Sequence, residues 1–86
     1  MTHTQLKMAR HMLGLPNKGR RSFRNRYFAP HGGPAATDLA ALVKAGLACS
    51  SVEADYIRGW LTRAGAESVL EKGESLCGED FPVVVE

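Results

Sequence analysis

The chain has 86 residues, 44% apolar and 23% charged, with a formal net charge of +2. A domain of this size buries only about 60% of the surface its unfolded chain exposes, so a single thin core is expected. No apolar run approaches the roughly 18 residues of a membrane span, and Lys7, Arg10 and His11 interrupt the N-terminal segment where a secretory signal needs an apolar stretch, so we expect a cytoplasmic, non-membrane protein.

Thr2 to Leu13 reads as a helix. Thr2 and Gln5 make a capping-box pattern, and Leu6, Ala9, Met12 and Leu13 recur at helical spacing. Gly14 suits the left-handed position that ends such a helix, and Pro16 prevents its continuation. Asn17-Lys18-Gly19 is a turn signal, and Pro30-His31-Gly32-Gly33-Pro34 is a second breaker. Between them, Phe23 and Tyr27 stand four apart, which predicts a short helix over 20–28. An extended segment would instead group Phe23, Asn25 and Tyr27.

Pro34 fits the first position of the next helix, with Leu39, Leu42 and Val43 as its buried stripe and Gly46-Leu47 as a Schellman ending. A short strand follows over Leu47 to Ser50, a polar turn over Ser51 to Asp55, and a return strand over Tyr56 to Leu61. Thr62 is placed to cap a helix ending near Lys72-Gly73, with Leu61 and Ala66 at staple spacing. Residues 1–73 then form one domain, and 74–86 an acidic tail carrying the apolar cluster Phe81-Pro82-Val83-Val84-Val85. Pro82 confines any strand there to the residues after it.

Charge is divided unevenly along this plan. Residues 1–44 carry eight Lys or Arg against Asp38 alone, and residues 45–86 carry three against eight acids. Such polarity turns a positive face toward a polyanion, or draws the two halves together. The densest part is Lys18, Arg20, Arg21, Arg24 and Arg26, interleaved with Phe23, Asn25 and Tyr27. Guanidinium groups fork onto phosphate oxygens, while aromatic rings and an amide stack on or pair with bases. The competing reading ties Arg24 or Arg26 to Glu67, Glu71 or the tail.

Catalytic signatures are missing: there is no nucleophile elbow, phosphate-binding loop, HExxH or dinucleotide fingerprint. Cys49 and Cys77 match no zinc spacing with His11 or His31, and two reduced thiols are expected. We read a non-enzyme with no metal and no cofactor. Tyr56 and Trp60 share one face of an extended strand, either packed inward or presented to a partner.

The phrases Asp38-Leu39-Ala40-Ala41-Leu42-Val43-Lys44-Ala45-Gly46-Leu47 and Trp60-Leu61-Thr62-Arg63-Ala64-Gly65-Ala66-Glu67 resemble the second half of a winged-helix domain. In that family a helix stops at a glycine, a strand enters a β-wing, and the return strand leads into a Leu-Thr-x-x-Gly helix start. The resemblance implies a small α+β, winged-helix-like domain of three or four helices with a two-stranded antiparallel β-hairpin. It places residues 35–45, with Lys44, where transcription regulators of the multiple-antibiotic-resistance type read the major groove. That helix is alanine-rich on its outward side and lacks the Arg, Lys, Asn and Gln pattern of base reading. The helix before it in a helix-turn-helix would come from residues 20–28. His11 to Lys18, Arg24 to Phe28 and the Leu61-Thr62-Arg63-Ala64-Gly65 ending also make the whole chain similar to small uncharacterised proteins encoded in prophages, which implies a phage accessory role.

Two functions compete on these residues. The first is a nucleic-acid-binding accessory protein that contacts phosphates through Lys18, Arg20, Arg21, Arg24, Arg26 and Lys44. The alternative is a protein-interaction module, or a self-associating one, that presents Ala41, Tyr56 and Trp60.

Overall fold

The computed structural model describes residues 1–82. Three helices and a three-stranded antiparallel sheet make an α+β domain, in the order α1 (His3–Leu13), β1 (Tyr27–Ala29), α2 (Pro34–Lys44), β2 (Ala48–Val52), β3 (Ile57–Leu61) and α3 (Arg63–Ser68). The expected hairpin is β2 with β3, pairing Ala48 with Leu61 through Val52 with Ile57. A third strand joins it. β1 pairs with β3 in the register Tyr27–Gly59, Phe28–Arg58 and Ala29–Ile57, giving the sheet order β1-β3-β2.

The helix ends follow the sequence signals. The Thr2 side chain accepts from the Gln5 amide while the Gln5 side chain accepts from the Thr2 amide, which closes the capping box. Gly14 takes φ 78°, and the amides of Gly14 and Leu15 reach back to the carbonyls of His11 and Arg10. α2 ends the same way, with Gly46 at φ 77° and Leu47 donating to the Leu42 carbonyl. Thr62 then joins two elements. Its hydroxyl donates to the Gly46 carbonyl and accepts from the Gly65 amide, so the stop of α2 and the start of α3 share one side chain.

Residues 20–28 form no helix, which corrects the sequence expectation and removes the first member of a helix-turn-helix. The cause is competition for backbone groups. The last four carbonyls of a helix need outside donors, and in α1 those of Met12 and Leu13 take the amides of Arg26 and Phe23. The Arg24 guanidinium donates to the His11 carbonyl at 2.8 and 3.1 Å. Amides committed to the end of α1 cannot also make helical bonds within 20–28.

Asn25 extends the sheet one rung beyond β1. Its side-chain amide donates to the Leu61 carbonyl at 3.0 Å, and its side-chain oxygen accepts from the Leu61 amide at 2.8 Å. These are the bonds a backbone residue opposite Leu61 would make, so the amide side chain stands in for main chain.

α3 stops at Ser68, short of the expected Lys72, because the groups that would continue it are diverted. The Val69 carbonyl accepts from Arg10, and the Glu71 amide donates to the Glu74 carboxylate. Residues 74–82, the described part of the expected tail, return across the domain. Arg21 and Ser75 make a parallel bridge, the Cys77 amide donates to the buried Ser22 hydroxyl, and Phe81 is buried in the core. The strand expected after Pro82 lies outside the described residues.

The core is one layer deep, between the helices and one face of the sheet. Met8, Met12, Leu13, Leu39, Leu42, Leu61 and Val69 form it with several alanines and Phe81. Gly59 admits the closest approach: a Cβ there would come 2.6 Å from a methyl of Leu39 on α2. Because strand side chains alternate faces, Gly59 and Leu61 point at the helices, while Arg58 and Trp60 point away.

Candidate functional site

Arg10 is where the two oppositely charged halves of the chain meet. It is one of two buried polar or charged residues among those described, the other being Ser22. Its guanidinium makes a bidentate pair with Glu74 at 2.6 and 2.7 Å, donates to the Val69 carbonyl at 2.8 Å, and meets Glu71 at 3.1 Å. The hydrogen bonds from Arg10 draw the Glu74 carboxyl down to about 2, against the opposing effect of burial. The Glu71 amide and the charges of Arg10 and Arg20 add to the shift. The same hydrogen bonds raise the Arg10 pKa, against burial. The acceptors gathered around this guanidinium make it a structural clasp between α1 and the segment after α3.

With Glu71 and Glu74 taken by Arg10, Arg24 and Arg26 have no acidic partner among the described residues, while Arg20 lies near Glu74. Neither Arg24 nor Arg26 pairs with Glu67, Glu71 or any other carboxylate among the described residues; Glu67 meets Arg63 instead. Among the described residues the internal salt bridges expected for Arg24 or Arg26 are therefore not made. The clasp uses Arg10, a residue that helical spacing alone does not single out.

Arg24 and Arg26 open onto a cleft of about 370 Å³ beside the edge strand β1, lined with them by His11, Tyr27 and Phe28. The helix end described above fixes each wall. Arg24 is anchored at the His11 carbonyl with three N–H donors left over. The Arg26 backbone is anchored at Met12, and its side chain is only partly covered. His11 packs edge-on against Tyr27, with ring centroids 5.7 Å apart. Among the described residues no carboxylate lines the cleft. Two guanidiniums and an imidazole beside two aromatic rings suit an anion attached to a flat group.

The other predicted contacts lie outside this cleft. Lys18 is exposed in the turn after α1, and Arg21 is exposed on the bridge to Ser75. Arg20, at φ 55°, holds its guanidinium over Gly73, where it adds to the positive field at Glu74. Lys44 is exposed in the last turn of α2 and does not line the cleft. Asn25 is spent on Leu61, so its amide no longer offers the base-pairing role. Phe23 is 61% exposed and lies on Gly14, under the Arg24 guanidinium at 5.2 Å.

Ala41, Tyr56 and Trp60 do not form one patch. Ala41 is exposed on α2, which covers the Gly59 face of the sheet, and Trp60 points to the opposite face. Sequence patterning does not single out His11 or Phe28 for binding. Helical phase and strand alternation give their directions, but only the capping of α1 by residues 23–26 brings them together.

No three metal-ligating side chains come together among the described residues, and Cys49 and Cys77 are unpaired and half-buried. No helix among these residues is long and apolar enough to cross a membrane. Compared with protein-family models, curated proteins and solved structures, the chain matches none.

Proposed function

We propose that the protein is a non-enzymatic nucleic-acid-binding accessory protein whose contact surface centres on the cleft of Arg24, Arg26 and His11. The observation that carries this reading is a pair of guanidiniums beside the end of α1, paired with no carboxylate among the described residues. An arginine fixed at one edge and open at the other presents its remaining donors to phosphate at little further ordering cost. Lys18, Arg20, Arg21 and Lys44 lie outside the cleft, and Arg20 spends its charge near Glu74. α2 contributes little beyond Lys44, since its exposed side is largely alanine and residues 20–28 supply no partner helix for groove reading.

The protein-interaction alternative loses its single surface, because Ala41 and Trp60 lie on opposite sides of the sheet. The test is titration of the full chain against duplex DNA, single-stranded DNA and RNA at two salt concentrations. Binding that weakens with salt, and is abolished when Arg20, Arg21, Arg24 and Arg26 are all alanine in a folded protein, supports the reading. Failure to bind any of the three more tightly than ~100 μM at low salt, the weak end of non-specific association, overturns it.

A further inference from the structure

We infer that the sheet face turned away from the helices is a stacking platform for single-stranded nucleic acid, with Phe28 and Trp60 receiving bases and Arg26 and Arg58 holding phosphates. This rests on the nucleic-acid reading above and deepens it to strandedness and surface.

Register places the residues. Phe28 stands directly opposite Arg58. The hydrogen bonds of Asn25 to Leu61 carry the same register past the end of β1, which sets Arg26 opposite Trp60. Alternation then gives one face holding Arg26 and Phe28 on the first strand, and Tyr56, Arg58 and Trp60 on the central one. The ring contact of Phe28 with Tyr56, 5.0 Å between centroids, and the Arg58 guanidinium 5.4 Å from the Trp60 ring agree with this placement.

None of these five side chains belongs to the core cluster or packs against it among the described residues. Phe28 is 52% exposed, and Arg58 is exposed beside it. Tyr56 and Trp60 are half-buried, so one exposed and two partly covered rings stand outside the core on this face and offer room for an occupant. The charge on the face selects its chemistry. Neither Arg26 nor Arg58 pairs with a carboxylate among the described residues; Glu53 stands opposite Tyr56 with its carboxylate on the Ser51 hydroxyl, across from Arg58, and Asp55 lies in the turn. The platform is therefore positive along β1 and β3, from Arg26 to Arg58, and bounded by Glu53 on the β2 side toward the hairpin end.

Aromatic rings alternating with guanidiniums match a single strand, in which bases are free to leave one another and stack on protein. Phe28 and Trp60 occupy diagonal positions about 7–8 Å apart, leaving room for one base on each ring. A duplex offers no such bases, since their faces are already stacked within the helix. The cleft of His11, Arg24 and Arg26 borders this face at the β1 edge, so the phosphate chain continues from the platform into the cleft.

Trp60 is the sole tryptophan and reports directly on the platform. The full chain is titrated at low salt with a short oligothymidylate, an abasic strand of equal length, a duplex and polyglutamate, following Trp60 emission and anisotropy of the labelled polymer. Oligothymidylate is expected to quench Trp60 and the abasic strand to bind without quenching. Phe28→Ala, which also borders the cleft, is expected to weaken oligothymidylate roughly tenfold, as for one stacked base removed, and duplex binding far less. Circular dichroism verifies its fold, and Arg58→Gln, at another exposed position, tests the same surface independently. Equal binding of single strand and duplex, with Trp60 unquenched and both variants like the parent, overturns the platform and leaves nucleic-acid binding standing. Quenching by polyglutamate and not by oligothymidylate assigns the face to an acidic peptide and overturns it as well. No binding of any nucleic acid removes both readings.

Discussion

Arg10 and Glu74 form a bidentate ion pair, with 10% and 6% of their side-chain surfaces exposed. Sixty-four positions separate them in sequence. Through them the first helix grips the segment that follows the last. A buried pair of this kind adds little over well-packed apolar residues, but removing one member strands the other charge. Arg10→Met is therefore expected to destabilise the fold by about 3–5 kcal/mol in urea unfolding, far more than an exposed arginine such as Arg21→Met. Equal effects from the two would contradict the clasp.

Glu74 also sets an acid limit. Its carboxyl is held at about 2 against an ordinary 4.5. A folded-state value below the unfolded one means that the stabilisation is fully present above the unfolded value and lost as pH falls through the window between them. Unfolding free energy should decline as pH drops from about 4.5 toward 2. Glu74→Gln should lower stability at neutral pH and flatten that decline. An unchanged slope in the variant would assign the acid sensitivity to other groups.

Most of the element plan is legible in the sequence because it depends on local chemistry. The capping box at Thr2, the glycine stops at Gly14 and Gly46 and the Thr62 cap act within a few residues of themselves. The fate of residues 20–28 is not legible, because it depends on the C-terminal carbonyls of α1. The same limit hides Arg10, whose partners come from the far end of the chain. Spacing alone puts Tyr56 and Trp60 on one face; the part played by Arg26 and Phe28 requires the register that Asn25 extends.

Asn25 offers a test of that register. Asn25→Ala leaves the amide and carbonyl of Leu61 without their partners, at an expected cost of about 1–3 kcal/mol. Hydrogen exchange at the Leu61 amide should accelerate more than at Gly59, which keeps its pairing with β1. Uniform acceleration along β3 would mean that the side chain only adds general stability.

Gly65 lies in the first turn of α3, where an alanine would ordinarily stabilise a helix by about 1 kcal/mol. Here a Cβ would collide with the Leu47 carbonyl. Gly65→Ala should therefore destabilise, by about 2 kcal/mol or more, because backbone has to move. Gly46→Ala meets no atom within 4 Å. Its cost should be about 1–2 kcal/mol, from the left-handed conformation alone. A stabilising Gly65→Ala would show that the two segments do not approach so closely.

The cleft makes a quantitative demand on salt dependence. On a single strand, each phosphate that the protein neutralises steepens the plot of log affinity against log salt by about 0.7. The decisive measurement is this slope for a short single strand, compared between the parent chain and Arg24→Ala/Arg26→Ala. Our account predicts measurable binding by the parent at low salt and a slope shallower by about 1.4 in the variant, as for two phosphates no longer neutralised. Parallel slopes in the two proteins, or a parent chain that binds no nucleic acid at low salt, would contradict it.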